Sequence, residues 1–258
     1  MKSLTYIYFS ATSTTAKCVE TVGAAMNLPV VNNINLADDP TLKNPEFSSN
    51  DVVIFAAPVY GGRLPGIVTE ALRGIKGKEA TAVAMVVYGN RDYDDALLEL
   101  TDIIGKAGFN ILGAGAFISQ HSIFPQVATG RPDEADLIKL TEFGQRCRKR
   151  LDKGLPYYKI IVKGNLPYKK SSGVPIHPQC DKSKCNRCGV CADKCPTRAI
   201  TIDNPTETDA AKCISCGRCI YICPRKVRSY SGFKYGLIKK VFVAGFSKRK
   251  EPSWLIAN

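Results

Sequence analysis

The chain has 258 residues, and 36 Lys and Arg against 23 Asp and Glu give a net charge of +13; this length allows one or two domains with a sizeable core. No apolar run approaches the roughly 18 residues needed to span a bilayer, and the opening MKSLTYIYFSATST lacks the apolar stretch and cleavage site of a secretory signal. Eight of the 11 cysteines lie between Cys185 and Cys223, which argues against a disulfide framework and for a reducing cytoplasm.

Residues 3–9 are β-branched and aromatic, as a buried parallel strand requires. They run into a hydroxyl-rich turn, Ser10 to Thr15, and then a helical pattern from Ala16 to about Met26. A strand, a polar turn and a helix N-terminus together form an anion site, because backbone N–H groups and the helix dipole point at a phosphate. One helix cap needs one hydroxyl, whereas this turn has five: Ser10, Thr12, Ser13, Thr14 and Thr15. The glycine and lysine signatures of triphosphate and dinucleotide loops are missing. A phosphate held by hydroxyls and amides suggests FMN.

Strand and helix then alternate. Strands are expected at Val30–Leu36, Asp51–Ala57, Thr81–Val87 and Ile111–Ser119. Helices are expected at Pro65–Ile75, Asp94–Ala107 and Pro132 to about Leu151. Five strands alternating with helices predict an α/β fold with an open, doubly wound parallel sheet. Its ligands should sit outside the C-terminal strand ends, where loops 10–15, 58–65 and 88–95 fall.

Over roughly residues 1–150 the chain resembles the flavodoxin family, on YFSATSTT, PVYGGRLP and YGNRDYDD. The resemblance implies that Ser10, Thr12, Ser13, Thr14, Thr15 and Ala16 form the FMN phosphate loop. It also implies that Pro58, Val59, Tyr60, Gly61 and Gly62 and then Tyr88, Gly89, Asn90, Arg91, Tyr93 and Asp94 form the two flavin-ring loops, with Tyr60 or Tyr93 stacked on the ring. Ala11 and Ser13 stand where many relatives carry glycine, which matters only if either position needs positive φ.

Residues 153–179 read as a connector whose Tyr157, Tyr158 and Tyr168 argue for docking onto the first domain. His121, His177 and Cys180 are expected to be structural.

Residues 180–258 form the expected second domain. It contains one motif twice: Cys185, Cys188, Cys191 and Cys195 before Pro196, then Cys213, Cys216, Cys219 and Cys223 before Pro224. That run resembles the bacterial two-cluster ferredoxins, in which the fourth cysteine of each motif ligates the other 4Fe-4S cluster. Cluster I would take Cys185, Cys188, Cys191 and Cys223, and cluster II Cys213, Cys216, Cys219 and Cys195. Structural zinc sites usually lack the third cysteine in step. The tail from Arg225 has nine Lys and Arg and one acid, Glu251. It suggests a short amphipathic helix that could lie on a membrane or a partner, although such a helix more often packs on its own domain with a solvated basic face.

Charge is unevenly shared. Residues 1–142 hold 11 Lys and Arg against 16 Asp and Glu, a net of −5, and residues 143–258 hold 25 against 7, a net of +18. Two clusters with their thiolates offset about −2 each by formal counting. The remainder suits redox partner proteins with acidic docking faces, and no nucleic-acid module is evident. A homodimer remains open. The chain as a whole resembles a flavodoxin-like domain fused to a two-cluster ferredoxin. No acid–base pair, Cys/His dyad or nicotinamide fingerprint marks a catalytic residue. The expected function is a low-potential electron carrier. The alternative is an FMN reductase fed by its own clusters, and a zinc-bearing nucleic-acid binder is the third reading.

Overall fold

The computed structural model describes residues 2–258 except 44, 155, 172 and 174; the last three of these exceptions belong to the expected connector. In chain order the first elements are β1 (Ser3–Tyr8), α1 (Thr14–Met26), β2 (Val30–Asn35), β3 (Asp51–Pro58), α2 (Gly66–Ala71), β4 (Thr81–Tyr88), α3 (Ala96–Lys106), β5 (Asn110–Ile118) and α4 (Glu134–Leu151). They are followed by β6 (Gln179–Cys180), α5 (Val190–Asp193), α6 (Arg218–Tyr221), β7 (Arg228–Ser229), α7 (Phe233–Phe246) and β8 (Ser253–Ile256).

The main sheet has the order β2-β1-β3-β4-β5-β8. Its first five strands are parallel, in the 2-1-3-4-5 order of the flavodoxin-like doubly wound fold. Successive residues alternate between the two faces, as strand geometry requires. Ile7, Phe9, Val53 and Phe55 pack toward α2 and α3 with Val68, Leu97 and Leu100. Leu4, Tyr6, Val52 and Ile54 pack toward α1 and α4 with Val19, Val22 and Phe143. Helix α2 ends at Ala71, short of the expected Ile75, and beyond it the backbone of Lys76 bonds the segment at Pro45 and Phe47.

A sixth strand was not expected. β8 comes from the basic tail and pairs antiparallel with β5. Trp254 stacks on Phe117 at 6.3 Å between centroids, and the Ala257 amide donates to Leu112 O at 2.9 Å. The tail therefore ends in the first domain's sheet, since β5 otherwise presents an unpaired edge.

The connector docks through part of its length. The amides of Asn165 and Lys169 donate to the Asp95 carboxylate at 2.8 and 2.7 Å. The Arg63 guanidinium lies 4.7 Å over Tyr168, and that of Arg150 lies 4.7 Å over Tyr157. Tyr158 is exposed.

The cysteine-rich part repeats its local geometry. Arg187 and Ser215 each take positive φ, at 56° and 54°. Gly189 and Gly217, both at φ 76°, open the one-turn helices α5 and α6. Among the described residues no helix is long and apolar enough to cross a membrane.

Candidate functional site

A cavity lies at the C-terminal ends of β1, β3, β4 and β5, where a doubly wound sheet places its ligand. Thr12, Thr14 and Thr15 line it from the first loop. Helix α1 begins at Ser13, which has φ 64° and makes no side-chain capping bond. Among the described residues the amides of Thr14 and Thr15 have no hydrogen-bond partner and can face an anion, whereas that of Ala16 bonds Ser10. Position 13 does need positive φ, and a non-glycine residue supplies it; Ala11 is not among the positive-φ residues.

Not every expected phosphate-loop residue faces the cavity. The Ser10 side chain is buried and accepts from the Ala16 amide at 3.1 Å, so both residues hold the loop in shape. Ser13 is exposed and lines an adjoining groove with Thr12, Thr14, Lys17 and Arg131.

At the other end, Pro58, Val59, Tyr60, Gly61 and Gly89 line the cavity. Gly62, at φ 88°, lies behind them, and a Cβ there would fall 2.0 Å from an Asp94 carboxylate oxygen. Tyr88 is a core residue packed edge-on to Tyr93 at 5.5 Å. The Tyr93 ring carries the Lys163 ammonium 5.0 Å from its centroid, and Arg91 pairs with Asp94. Of the two candidate stacking tyrosines, Tyr60 lines the cavity and Tyr93 lies beneath the connector. Asn90 is 1% exposed and clamps the tail instead. Its amide donates to Phe246 O at 2.6 Å and Lys248 O at 2.8 Å, and its carbonyl accepts from the Lys250 amide at 3.1 Å.

Ser119, Gln120, His121, Ser122 and Ile123 also line the cavity, and none was singled out from sequence as a ligand contact. The rule that such sites collect loops from strand ends pointed to this loop after β5 as well. His121 Nδ1 accepts from the amides of Ile123 and Phe124, both at 3.1 Å, which leaves the proton on Nε2. Burial, aided by the Arg91 charge, pushes its pKa down to about 4. Burial raises the Tyr60 phenol well above its ordinary value, and Cys216 and Cys213 add to the rise.

Those two cysteines belong to the second site. Cys195, Cys213, Cys216 and Cys219 line one small cavity, so the fourth cysteine of the first motif joins three from the second. Backbone amides point at sulfur in both motifs: Arg187 N to Cys185 at 3.4 Å, Ser215 N to Cys213 at 3.4 Å and Ala199 N to Cys195 at 3.2 Å. Thiolates with amide donors suit an iron–sulfur cluster. Among the described residues no three His, Cys, Asp or Glu side chains are grouped closely enough for a single metal ion. Cys188 is exposed. Cys180 lies against Cys185 and near Cys191, and burial raises its thiol pKa.

One residue borders both cavities. Ile214, between Cys213 and Cys216, lines the strand-end cavity beside Ser215 and also lines the cysteine cavity. The roof is held by Tyr230, whose hydroxyl donates to Ser215 O at 2.7 Å.

Residues 184–230 match the 4Fe-4S dicluster domain family. No curated protein matches the chain. Similar solved structures include oxidised flavodoxin 1 from Bacillus cereus, with TM-score 0.43, 16% identity and coverage of 60% of this chain and 100% of that one. The rubredoxin oxygen:oxidoreductase of the anaerobe Desulfovibrio gigas has TM-score 0.42 and 16% identity, over 59% of this chain and 37% of that one. A flavodoxin from the domain Archaea has TM-score 0.38 and 12% identity, over 59% of this chain and 99% of that one.

Proposed function

We propose that this chain is an electron carrier with two 4Fe-4S clusters and FMN in one polypeptide. Clusters exchange single electrons and a flavin exchanges one or two, so together they connect the two regimes. The observation that carries this reading is Ile214, a single side chain bordering both the strand-end cavity and the cysteine cavity.

In this reading Cys195, Cys213, Cys216 and Cys219 hold the cluster nearer the flavin, and Cys185, Cys188, Cys191 and Cys223 hold the outer one. Thr12, Thr14, Thr15 and the first two amides of α1 receive the phosphate, and Tyr60 borders the ring. Ile214 and Ser215 roof the cavity, which favours exchange with the neighbouring cluster over reduction of a small acceptor. Exposed Cys188, with the exposed cations Arg187, Arg198, Arg225 and Lys226 in and after the two motifs, suits an acidic redox protein as the external partner.

The test starts with iron, acid-labile sulfide and flavin contents of anaerobically purified chain. Rapid mixing with a limiting one-electron reductant then follows flavin absorbance. Transfer within one chain gives a rate independent of protein concentration and nearly insensitive to salt. A rate that rises in proportion to concentration overturns built-in transfer.

A further inference from the structure

Helix α7 is apolar around most of its circumference, yet only one side is covered. Tyr235, Ile238, Phe242, Val243 and Phe246 pack against a cluster built on Ile123, Phe124 and Tyr230, and the Tyr235 hydroxyl donates to Ile123 O at 3.1 Å. On the opposite side Phe233 is 90% exposed, Leu237 58% and Val241 69%. At about 100° per residue these three fall in one narrow stripe, with Lys234 along one edge and Lys240 along the other. Both lysines are exposed, and neither has an ion pair among the described residues.

We propose that this stripe of α7 lies on an anionic membrane surface. An apolar strip flanked on both edges by lysines is the pattern of a helix lying in the interface plane, where rings and aliphatic chains enter the headgroup boundary. Lysine stems cover apolar surface while their ammonium groups reach lipid phosphates. A second copy of the chain is disfavoured, because face-to-face packing brings Lys234 and Lys240 against their own counterparts. A protein partner is disfavoured because a stable interface buries about 800 Å² on each side, and this stripe is one residue wide and convex. The helix is too short to cross the bilayer, so it rests on the surface. The net +18 of residues 143–258 adds long-range attraction. This inference is independent of which cofactors the chain carries.

The test is flotation of the intact chain with vesicles of phosphatidylcholine alone and of phosphatidylcholine mixed with phosphatidylglycerol. The chain is expected on the mixed vesicles only, and less of it as salt rises. Replacing both flanking lysines, Lys234→Gln with Lys240→Gln, should weaken binding about 30-fold. Phe233→Ser with Leu237→Ser should abolish it, with the visible absorbance and sedimentation of the free chain unchanged. Three results overturn the proposal: equal binding to both vesicles, no binding to either, or serine variants that bind like the parent chain. A dimer that the serine variants dissociate also overturns it, as does an acidic protein partner that they release while vesicles stay unbound.

Discussion

Arg218 and Asp38 form an ion pair that ties the second cysteine motif to the turn after β2. The Arg218 side chain is buried, and its Nη1 also donates to Ser10 O at 3.5 Å, beside the hydroxyl-rich loop. Its Nε is buried without a hydrogen-bond partner among the described residues, and Arg218 lines the cavity of Cys195, Cys213, Cys216 and Cys219. A cationic donor there stabilises the more negative, reduced form of a bound cluster. Arg218→Gln is therefore expected to lower the potential of that cluster by about 60 mV, equivalent to roughly 1.4 kcal/mol for one electron. A redox titration followed by electron paramagnetic resonance checks this, and an unchanged potential removes the role.

Cys195 and Cys180 separate ligand from neighbour. Cys195→Ala should impair the cluster held by Cys213, Cys216 and Cys219, because all four line one cavity. If it removes instead the cluster held by Cys185, Cys188 and Cys191, the crossed assignment is wrong. Cys180→Ala should keep the iron content of the parent, although Cys180 lies against Cys185.

The buried imidazole of His121 predicts a pH dependence. Its pKa is pushed down to about 4 from an ordinary 6.5, so the unfolded chain binds a proton that the folded chain refuses between those values. The stability from neutral His121 is complete above pH 6.5 and falls as pH drops toward 4, by about 3 kcal/mol in all and about 2 kcal/mol by pH 5. His121→Leu should flatten that slope. The difference in urea midpoint between parent and variant at pH 7.5 and pH 5 measures it, and equal slopes contradict the assignment.

Ser13 begins α1 with a left-handed backbone. Ser13→Gly should be neutral or up to about 1 kcal/mol stabilising, since lost strain is opposed by the entropy of glycine. Ser13→Val should cost about 1–2 kcal/mol and weaken flavin retention. Thermal melts and flavin content after gel filtration report both effects.

The parallel strands were legible because burial on both faces demands unbroken apolar runs, seen in Val52–Ala57 and Ala82–Val87. The paired cysteine motifs were legible because cluster ligands are spaced by local turns, and the left-handed Gly189 and Gly217 recur at matching places. The alternation also pointed to the strand-end cavity. It did not indicate which residues of each loop would line it. Tyr60 and Tyr93 look alike in sequence, and only the distant Lys163 covers one of them. Asn90 reads as a loop residue until the tail arrives to take its three hydrogen bonds.

Sequence alone thus determined the strands, the alternation and the cysteine spacing, because each is set by forces acting within a few residues. Only the tertiary structure decided the sixth strand, the roof of Ile214 and Ser215 and the Arg218–Asp38 tie. Ser253–Ile256 is too short to announce itself as a strand. It becomes one because β5 offers an open edge and Phe117 a surface for Trp254. Ile214 borders two cavities because docking brings the second cysteine motif against the strand ends, a proximity that no local spacing encodes.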